Sequence, residues 1–383
     1  MGYFKSIAKS FKLKDCINYF VIAAFLLVTA MLSGFDMLSR SNTNILVQIA
    51  YSIILAVSLN LVVGFLGELS LGHAGFMCVG AYIGCLVANY LHQVINSELL
   101  VLIITMLIGG IVASVFGFII GLPALRLKGD YLAIVTLAFG EIVRNIFKNL
   151  DIFGGASGLK TTRYDNDKLF IVAFIVVLIV LFLIQNLIRS KHGRAITSIR
   201  DNEIAAKAMG INVTFYKLFV FVVSAFFAGV AGVIYGHYTT PVLYSFFSYN
   251  YSIEILVIVV LGGMGSINGS IIAATLITYV NFVLQTNLSG DLAALKYLIY
   301  ALILIVAVLF NNAPALKGVR EKYNLKNLFK LIRKPKHDPS IVRDDAAAWD
   351  NVPTKIKMDE LLSVEVQPNN QVYTPDKPKK EDK

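Results

Sequence analysis

Charge is what this sequence has least of. Only 15% of its 383 residues are Asp, Glu, Lys or Arg, against about 25% in soluble domains, while 57% are hydrophobic and mean hydropathy is +0.70. Water is therefore not its main solvent. Cysteine is scarce too: Cys16, Cys78 and Cys85 are odd in number, lack metal-ligand spacing and lie in or beside apolar runs, where a thiol packs as a small hydrophobe. Neither a disulfide framework nor a metal site is expected. No Gly-x-x-x-x-Gly-Lys-Ser/Thr occurs, so the chain does not bind ATP through a phosphate loop and any driving energy comes from a partner or a gradient. The five histidines, His73, His92, His192, His237 and His337, are scattered, and with no His/Cys or Ser/His/Asp constellation a membrane-bound enzyme is disfavoured.

The formal net charge is +10, but the basic residues stand at the ends of apolar segments and near the C-terminus. That placement follows the positive-inside rule and the anionic lipid surface, so the lipid bilayer is the expected partner and nucleic acid is not. Lys5, Lys9, Lys12 and Lys14 precede the first apolar run. The run is too long for a signal peptide and no clean cleavage pattern follows, which points to an uncleaved first span.

A hydrocarbon core is crossed by about 20 helical residues and tolerates no unpaired backbone, so each long apolar run reads as a transmembrane helix. Eight runs qualify: 17–35, 44–66, 75–91, 99–122, 168–188, 217–238, 267–285 and 292–310. Two are ambiguous, 131–149 because it carries Glu141 and Arg144, and 252–262 because it is short. The loop 189–217 holds Arg189, Lys191, Arg194, Arg200, Lys207 and Lys217 against Asp201 and Glu203, and should be cytoplasmic. Placing that loop, the basic N-terminus (1–16) and the basic segment 311–336 on the same side requires both ambiguous runs to count as crossings or parts of one. The expected fold class is all-α, a polytopic transmembrane bundle of about 8–10 helices with a broken or re-entrant region and both termini cytoplasmic. The membrane-embedded body spans 17–310, and 337–383, where Pro339, Pro353, Pro368, Pro375 and Pro378 gather among mixed charges, is expected to be a disordered tail.

Three segments stand out. In 64–75, a glycine-dense polar stretch lies between hydrophobic runs, and a helix restarting near Ser70 to His73 would aim its N–H groups at an anion such as an amino acid's carboxylate; a tight packed turn would use the same residues. Glu68 and His73 are ionisable near membrane depth, which makes them candidates for function, Glu68 for a substrate ammonium or as a solvated interfacial carboxylate. In 126–149, Glu141 and Arg144 stand three apart on one helical face and can pair, a structural ion pair or a substrate contact. In 199–212, Asp201 and Glu203 near the start of a short helix, flat-faced alanines including Ala205 and Ala206, and Gly210 as terminator describe either a rigid element that docks in a partner or an ordinary surface loop. Leu71-Gly72-His73-Ala74-Gly75 is also echoed by Leu261-Gly262-Gly263-Met264-Gly265, either an internal repeat or chance in a glycine-rich chain.

At these segments, 67–74, 126–137 and 199–212, together with Gly262 to Ser266, the sequence resembles the LivM-type permeases of branched-chain amino acid ABC transporters, over roughly 44–310. The resemblance implies a permease subunit that pairs with a LivH-like permease, two cytoplasmic ATPase subunits that consume the ATP, and an extracytoplasmic amino-acid-binding protein. It implies that 199–212 couples to the ATPase, with Arg200, Glu203, Ala205, Ala206 and Gly210 as coupling residues. Glu68, Ser70, Gly72, His73, Tyr131, Glu141, Gly262 and Gly265 are the candidates for the substrate pathway. Glu68 stands where the family often has glutamine and Lys128 where arginine is common; the extra negative charge of Glu68 bears on which substrate is carried. The rival readings are an ion-coupled secondary carrier using Glu68, His73, Glu141 and Glu254, and an ABC permease for urea or short amides.

Overall fold

The computed structural model describes residues 40–127, 129–162, 164 and 166–287, with Ile22, Ala301, Leu302 and Ile305. The apolar runs 17–35 and 292–310, apart from those isolated residues, lie outside the described residues, as do the basic segment 311–336, the tail 337–383 and Lys128.

Within the described residues the chain is helical almost throughout. Helix α1 (Arg40–Asn60) widens into a π turn (Leu61–Leu66) that stops at Gly67, and α2 (His73–Leu91) resumes after an irregular stretch. Then follow α3 (Glu98–Ala124), α4 (Asp130–Asn149) and α5 (Asn166–Arg189). Two short helices, α6 (Lys191–Asp201) and α7 (Glu203–Ala208), lead into α8 (Val213–Tyr238), α9 (Tyr249–Gly262) and α10 (Ile267–Asn287). Six of the described helices are long and apolar enough to cross a membrane: Ser41–Leu66, His73–Leu91, Glu98–Ala124, Lys168–Arg189, Val213–Tyr238 and Ile267–Thr286. The two ambiguous runs are both helical. Helix α4 has the length but carries Asp130, Glu141, Arg144 and Lys148, and α9 has only 14 residues.

The expected loop 189–217 is more ordered than its polarity suggests. Ser190 Oγ caps α6 by accepting from the N–H groups of His192 and Gly193. Asn202 caps α7 through Ile204 and Ala205, and Asn212 caps α8 through Phe215. Each cap satisfies donors that a helix start otherwise leaves unpaired. Two expectations shift accordingly. Asp201 closes α6 rather than opening a helix, the break falling at Asn202, and α8 begins at Val213, which carries Lys217 into the helix.

Helices α1 and α8 form the centre. An 18-residue stretch within Ser41–Leu66 is buried throughout, and α8 packs along α3, α2 and α1. Apolar side chains gain nothing by leaving lipid for one another, so helices in a membrane are held by close backbone packing and interhelical hydrogen bonds. The α2–α8 crossing shows this: a Cβ on Gly80 would stand 2.2 Å from the Gly229 carbonyl oxygen, and one on Gly232 would stand 2.1 Å from that of Met77. Outward, α3 presents Leu99, Ile103, Leu107, Ile111 and Phe118, a row that suits lipid or another hydrophobic subunit and not water.

The close approach sets an expectation for two alanines. Gly80→Ala, facing rigid backbone, should sharply lower the yield of monodisperse detergent-solubilised protein. Gly140→Ala, whose added carbon meets nothing nearer than 3.7 Å, should leave that yield unchanged in size-exclusion chromatography.

Candidate functional site

The break between α1 and α2 is built by one buried amide. Asn60, fully buried at the end of α1, accepts from the N–H of Gly265 at 2.9 Å and donates to the Ser266 carbonyl at 3.1 Å and to Ser270 Oγ at 2.8 Å. It thereby ties the break to the turn between α9 and α10, where Gly263 and Gly265 hold positive φ angles of 91° and 79°. The contact is too tight for side chains: a Cβ on Gly64 would lie 2.2 Å from the Gly265 nitrogen. Gly262 is packed on Gly269 in the same turn. The two glycine stretches singled out in the sequence are therefore joined at one end of the bundle, Gly64 against Gly265.

That is also the end that carries α6 and α7. Arg200 reaches from α6 to donate through Nη1 to the Gly64 carbonyl at 3.1 Å, while its Nε and Nη2 hold Asp201 Oδ1 at 3.1 and 2.9 Å. Its stem lies on Gly67, where a Cβ would come within 2.7 Å of Arg200 Cγ. A carbonyl within a π turn is poorly served by the helix itself, and the guanidinium supplies a charge-assisted bond to it.

A second attachment runs through Lys217. Its Nζ contacts Glu68 and lies 3.2 Å from Glu203 Oε2, and Glu203 Oε1 pairs with Lys207 at 2.9 Å. The Lys217 side chain is only 6% exposed and that of Glu68 14%, so these charges depend on one another for their solvation. The hydrogen bond from Lys207 holds the Glu203 carboxyl below the usual carboxylate range; burial opposes this and Lys217 adds to it. The negative charge that Glu68 brings in place of glutamine is thus answered within the protein by Lys217.

The remaining candidates fall in two other places. His73, at the start of α2 and 2% exposed, lies 2.8 Å through Nε2 from Ser58 Oγ. Since the Ser58 hydroxyl gives its proton to Leu55, Nε2 is assigned as the donor. The N-terminus of α2 is met by side chains, Leu71 N–H by Thr136 Oγ1 and Ala74 N–H by Ser252 Oγ, and Gly72 packs on the Thr136 carbonyl. Ser70 is 1% exposed, and its hydroxyl has no hydrogen-bond partner among the described residues. On α4, Glu141 pairs with Arg144 at 2.6 Å and accepts from the Tyr249 N–H at 3.0 Å, linking α4 to the start of α9, whereas Tyr131 is 71% exposed. Of the coupling residues, Ala205 and Gly210 are exposed and Ala206 is buried.

Residues 41–308 match the family described as branched-chain amino acid transport system, permease component. The chain belongs to this permease family. Among its relatives is the high-affinity branched-chain amino acid transport system permease protein LivM of Salmonella typhimurium strain LT2, 35% identical over 335 residues, 79% of this chain and 76% of that protein. The Escherichia coli K12 protein of the same name has the same identity and coverage. The probable LivM of Methanocaldococcus jannaschii is 29% identical over 253 residues, 56% of this chain and 73% of that one. No solved structure matches the chain significantly. With its spanning helices, this membership makes the chain an integral membrane protein and a transport permease subunit.

Asn60 and Lys217 were not among the permease residues singled out from the sequence. The signal was present in each, a single amide or ammonium in an otherwise apolar run, the pattern that marks function or a buried partner at membrane depth. Lys217→Met should cost about 3–5 kcal/mol by stranding Glu68, whereas Glu203 keeps Lys207. Adding Glu68→Gln should recover a measurable part of that loss in denaturation of the detergent-solubilised protein, giving a non-additive double-mutant cycle.

Proposed function

We propose that this chain is the LivM-like half of the membrane pore of an ATP-driven importer for branched-chain or closely related small amino acids. It would pair with a LivH-like permease, receive cargo from an extracytoplasmic binding protein, and be driven by two cytoplasmic ATPase subunits that bind and hydrolyse the ATP. The substrate class follows the relatives' descriptions, since both enterobacterial LivM proteins are covered over three quarters of their length.

The observation that carries the mechanism is the fastening of α6 and α7 to the broken helices through Arg200 on Gly64 and Lys217 between Glu203 and Glu68. In this reading this end faces the cytoplasm, as do both termini, which the basic character of 189–217 supports. There Ile204 of α7 and Met209 just past its end stand 81% and 82% exposed, beside Ala205. Two large apolar side chains on a short capped helix suit insertion in a hydrophobic groove of an ATPase. In this reading Ala206 holds α7 on its own subunit, and Gly210, at φ 80°, turns the chain back toward α8. Nucleotide-driven movement of the ATPase pulls on α7, and the pull reaches the joint of Gly64, Gly262 and Gly265, which gates the inner end of the pathway. Ser70 and His73 then belong to the wall that the joint moves, Glu141 holds α4 to α9, and Tyr131 stands at the inner surface.

Leucine uptake into proteoliposomes containing the complete transporter should require ATP and persist in the presence of ionophore. Uptake by the purified chain alone, or its abolition by ionophore, would establish a secondary carrier instead. Glu203→Gln combined with Gly210→Val should leave the subunits co-purifying but reduce uptake at least about tenfold relative to ATP hydrolysed, and undiminished uptake would remove these residues from coupling.

A further inference from the structure

A cavity of about 240 Å³ lies between the end of α3, helix α7 and the start of α8. It is smaller than most small-molecule sites, about 300–1,000 Å³, and suits a single charged headgroup. Its lining holds three cations, Arg126, Lys207 and Lys217, against the one carboxylate of Glu203. Lys217 is committed to Glu68 and Glu203. Lys207 gives Glu203 Oε1 one bond at 2.9 Å while its side chain stays 59% exposed, and an ammonium group has three donors. Arg126, just past the end of α3, is exposed and forms no ion pair among the described residues. The charge in excess is therefore a guanidinium, whose planar fork of donors matches phosphate oxygens.

The backbone adds to this. A helix start leaves its first N–H groups without partners inside the helix and carries partial positive charge. Asn212 Oδ1 meets the N–H of Phe215, and the two residues before it, Val213 and Thr214, stand on the cavity wall. Toward α3 the lining turns apolar with Leu122 and Leu125. Leu122 also ends the outward row of α3 that runs through Ile119, Phe118 and Val115 to Ile111, all 44% to 59% exposed. From Leu122 back to Ile111 is 11 residues, about 16 Å of helix, close to half of a hydrocarbon core about 30 Å thick. A small basic cavity thus opens onto an apolar strip as long as one leaflet is deep.

The geometry points to this cavity as a site for an anionic phospholipid, its phosphate held by Arg126, Lys207 and the start of α8, and an acyl chain lying along the α3 row. Free phosphate shares the headgroup's chemistry but makes no use of the apolar strip. In the orientation proposed above, the site faces the cytoplasmic leaflet, whose surface is negative and whose lipids are drawn to basic pockets between helices. Nothing else in it depends on the proposed function. Because Arg126 follows α3 and Lys207 belongs to α7, the bound phosphate ties the coupling element to the bundle by a route separate from Lys217.

The test uses the full chain in phosphatidylcholine vesicles. Trp349→Phe removes its single tryptophan, and Leu122→Trp supplies one at the cavity. Quenching by brominated phosphatidylglycerol, compared with brominated phosphatidylcholine of the same chains, reads lipid selectivity there. Phosphatidylglycerol should be preferred at least about fivefold, and Arg126→Gln should bring this below about twofold. Millimolar inorganic phosphate should leave the preference unchanged. Absence of preference, or a preference that survives Arg126→Gln, overturns the proposal. Displacement by inorganic phosphate overturns it in favour of a free anion. No preference, together with loss of the ATPase subunits from the purified Arg126→Gln transporter, overturns it in favour of a subunit contact. If the tryptophan variants do not reconstitute, native mass spectrometry of the unsubstituted chain and of Arg126→Gln decides: the variant should retain fewer phosphatidylglycerol molecules, and equal occupancy overturns the assignment. These readings need no ATP-driven uptake, so failure of the proposed function is seen separately.

Discussion

Backbone left unpaired inside a bilayer has no water to turn to. A helix can therefore break there only where the protein itself supplies the missing partners. In this permease the supply comes from Asn60, which serves the turn at Gly265 and Ser266, and from Arg200, which serves the Gly64 carbonyl. The rest of the joint is arranged around those bonds. The glycines let the two turns touch, α6 holds the guanidinium in place, and Lys217 fastens α7 alongside by bridging Glu203 and Glu68.

A mechanical consequence follows. Because the partner of an interrupted backbone lies on a surface helix, that helix cannot shift without changing how the interruption is satisfied. Packed regions with such paired alternatives switch between discrete arrangements and do not bend continuously. The central helices offer less freedom: α2 and α8 meet backbone to backbone at Gly80 and Gly229. The bundle thus combines a close backbone crossing at Gly80 with one fastened joint, and a polar cavity lined by Gln48, Tyr51 and Glu254 lies away from that joint.

Much of this was legible from composition and pattern. Long apolar runs marked the spanning helices, and glycine density marked both halves of the joint. The helix restart at His73, expected between Ser70 and His73, and the pairing of Glu141 with Arg144 followed from glycine density and helical spacing. What the sequence did not disclose were contacts between residues far apart in the chain. Glu68 and Lys217 are separated by some 150 positions and Asn60 and Gly265 by 205, and no local periodicity links them. Lys217 was read as the edge of a loop, although its two carboxylate partners carry it into α8. The short helix expected to start near Asp201 and Glu203 starts at Glu203, but the cap is the Asn202 side chain, which a reading from the acidic residues and the dipole did not name.

The central claim is that the Arg200 guanidinium transmits movement of the cytoplasmic helices to the broken ones. Arg200→Met retains the stem that covers Gly67 and removes the bond to Gly64. In the reconstituted transporter, leucine uptake and ATP hydrolysis are measured on the same preparation. The account predicts an assembled complex that still hydrolyses ATP but imports at least about tenfold less leucine per ATP. An unchanged ratio of leucine imported to ATP consumed would contradict it.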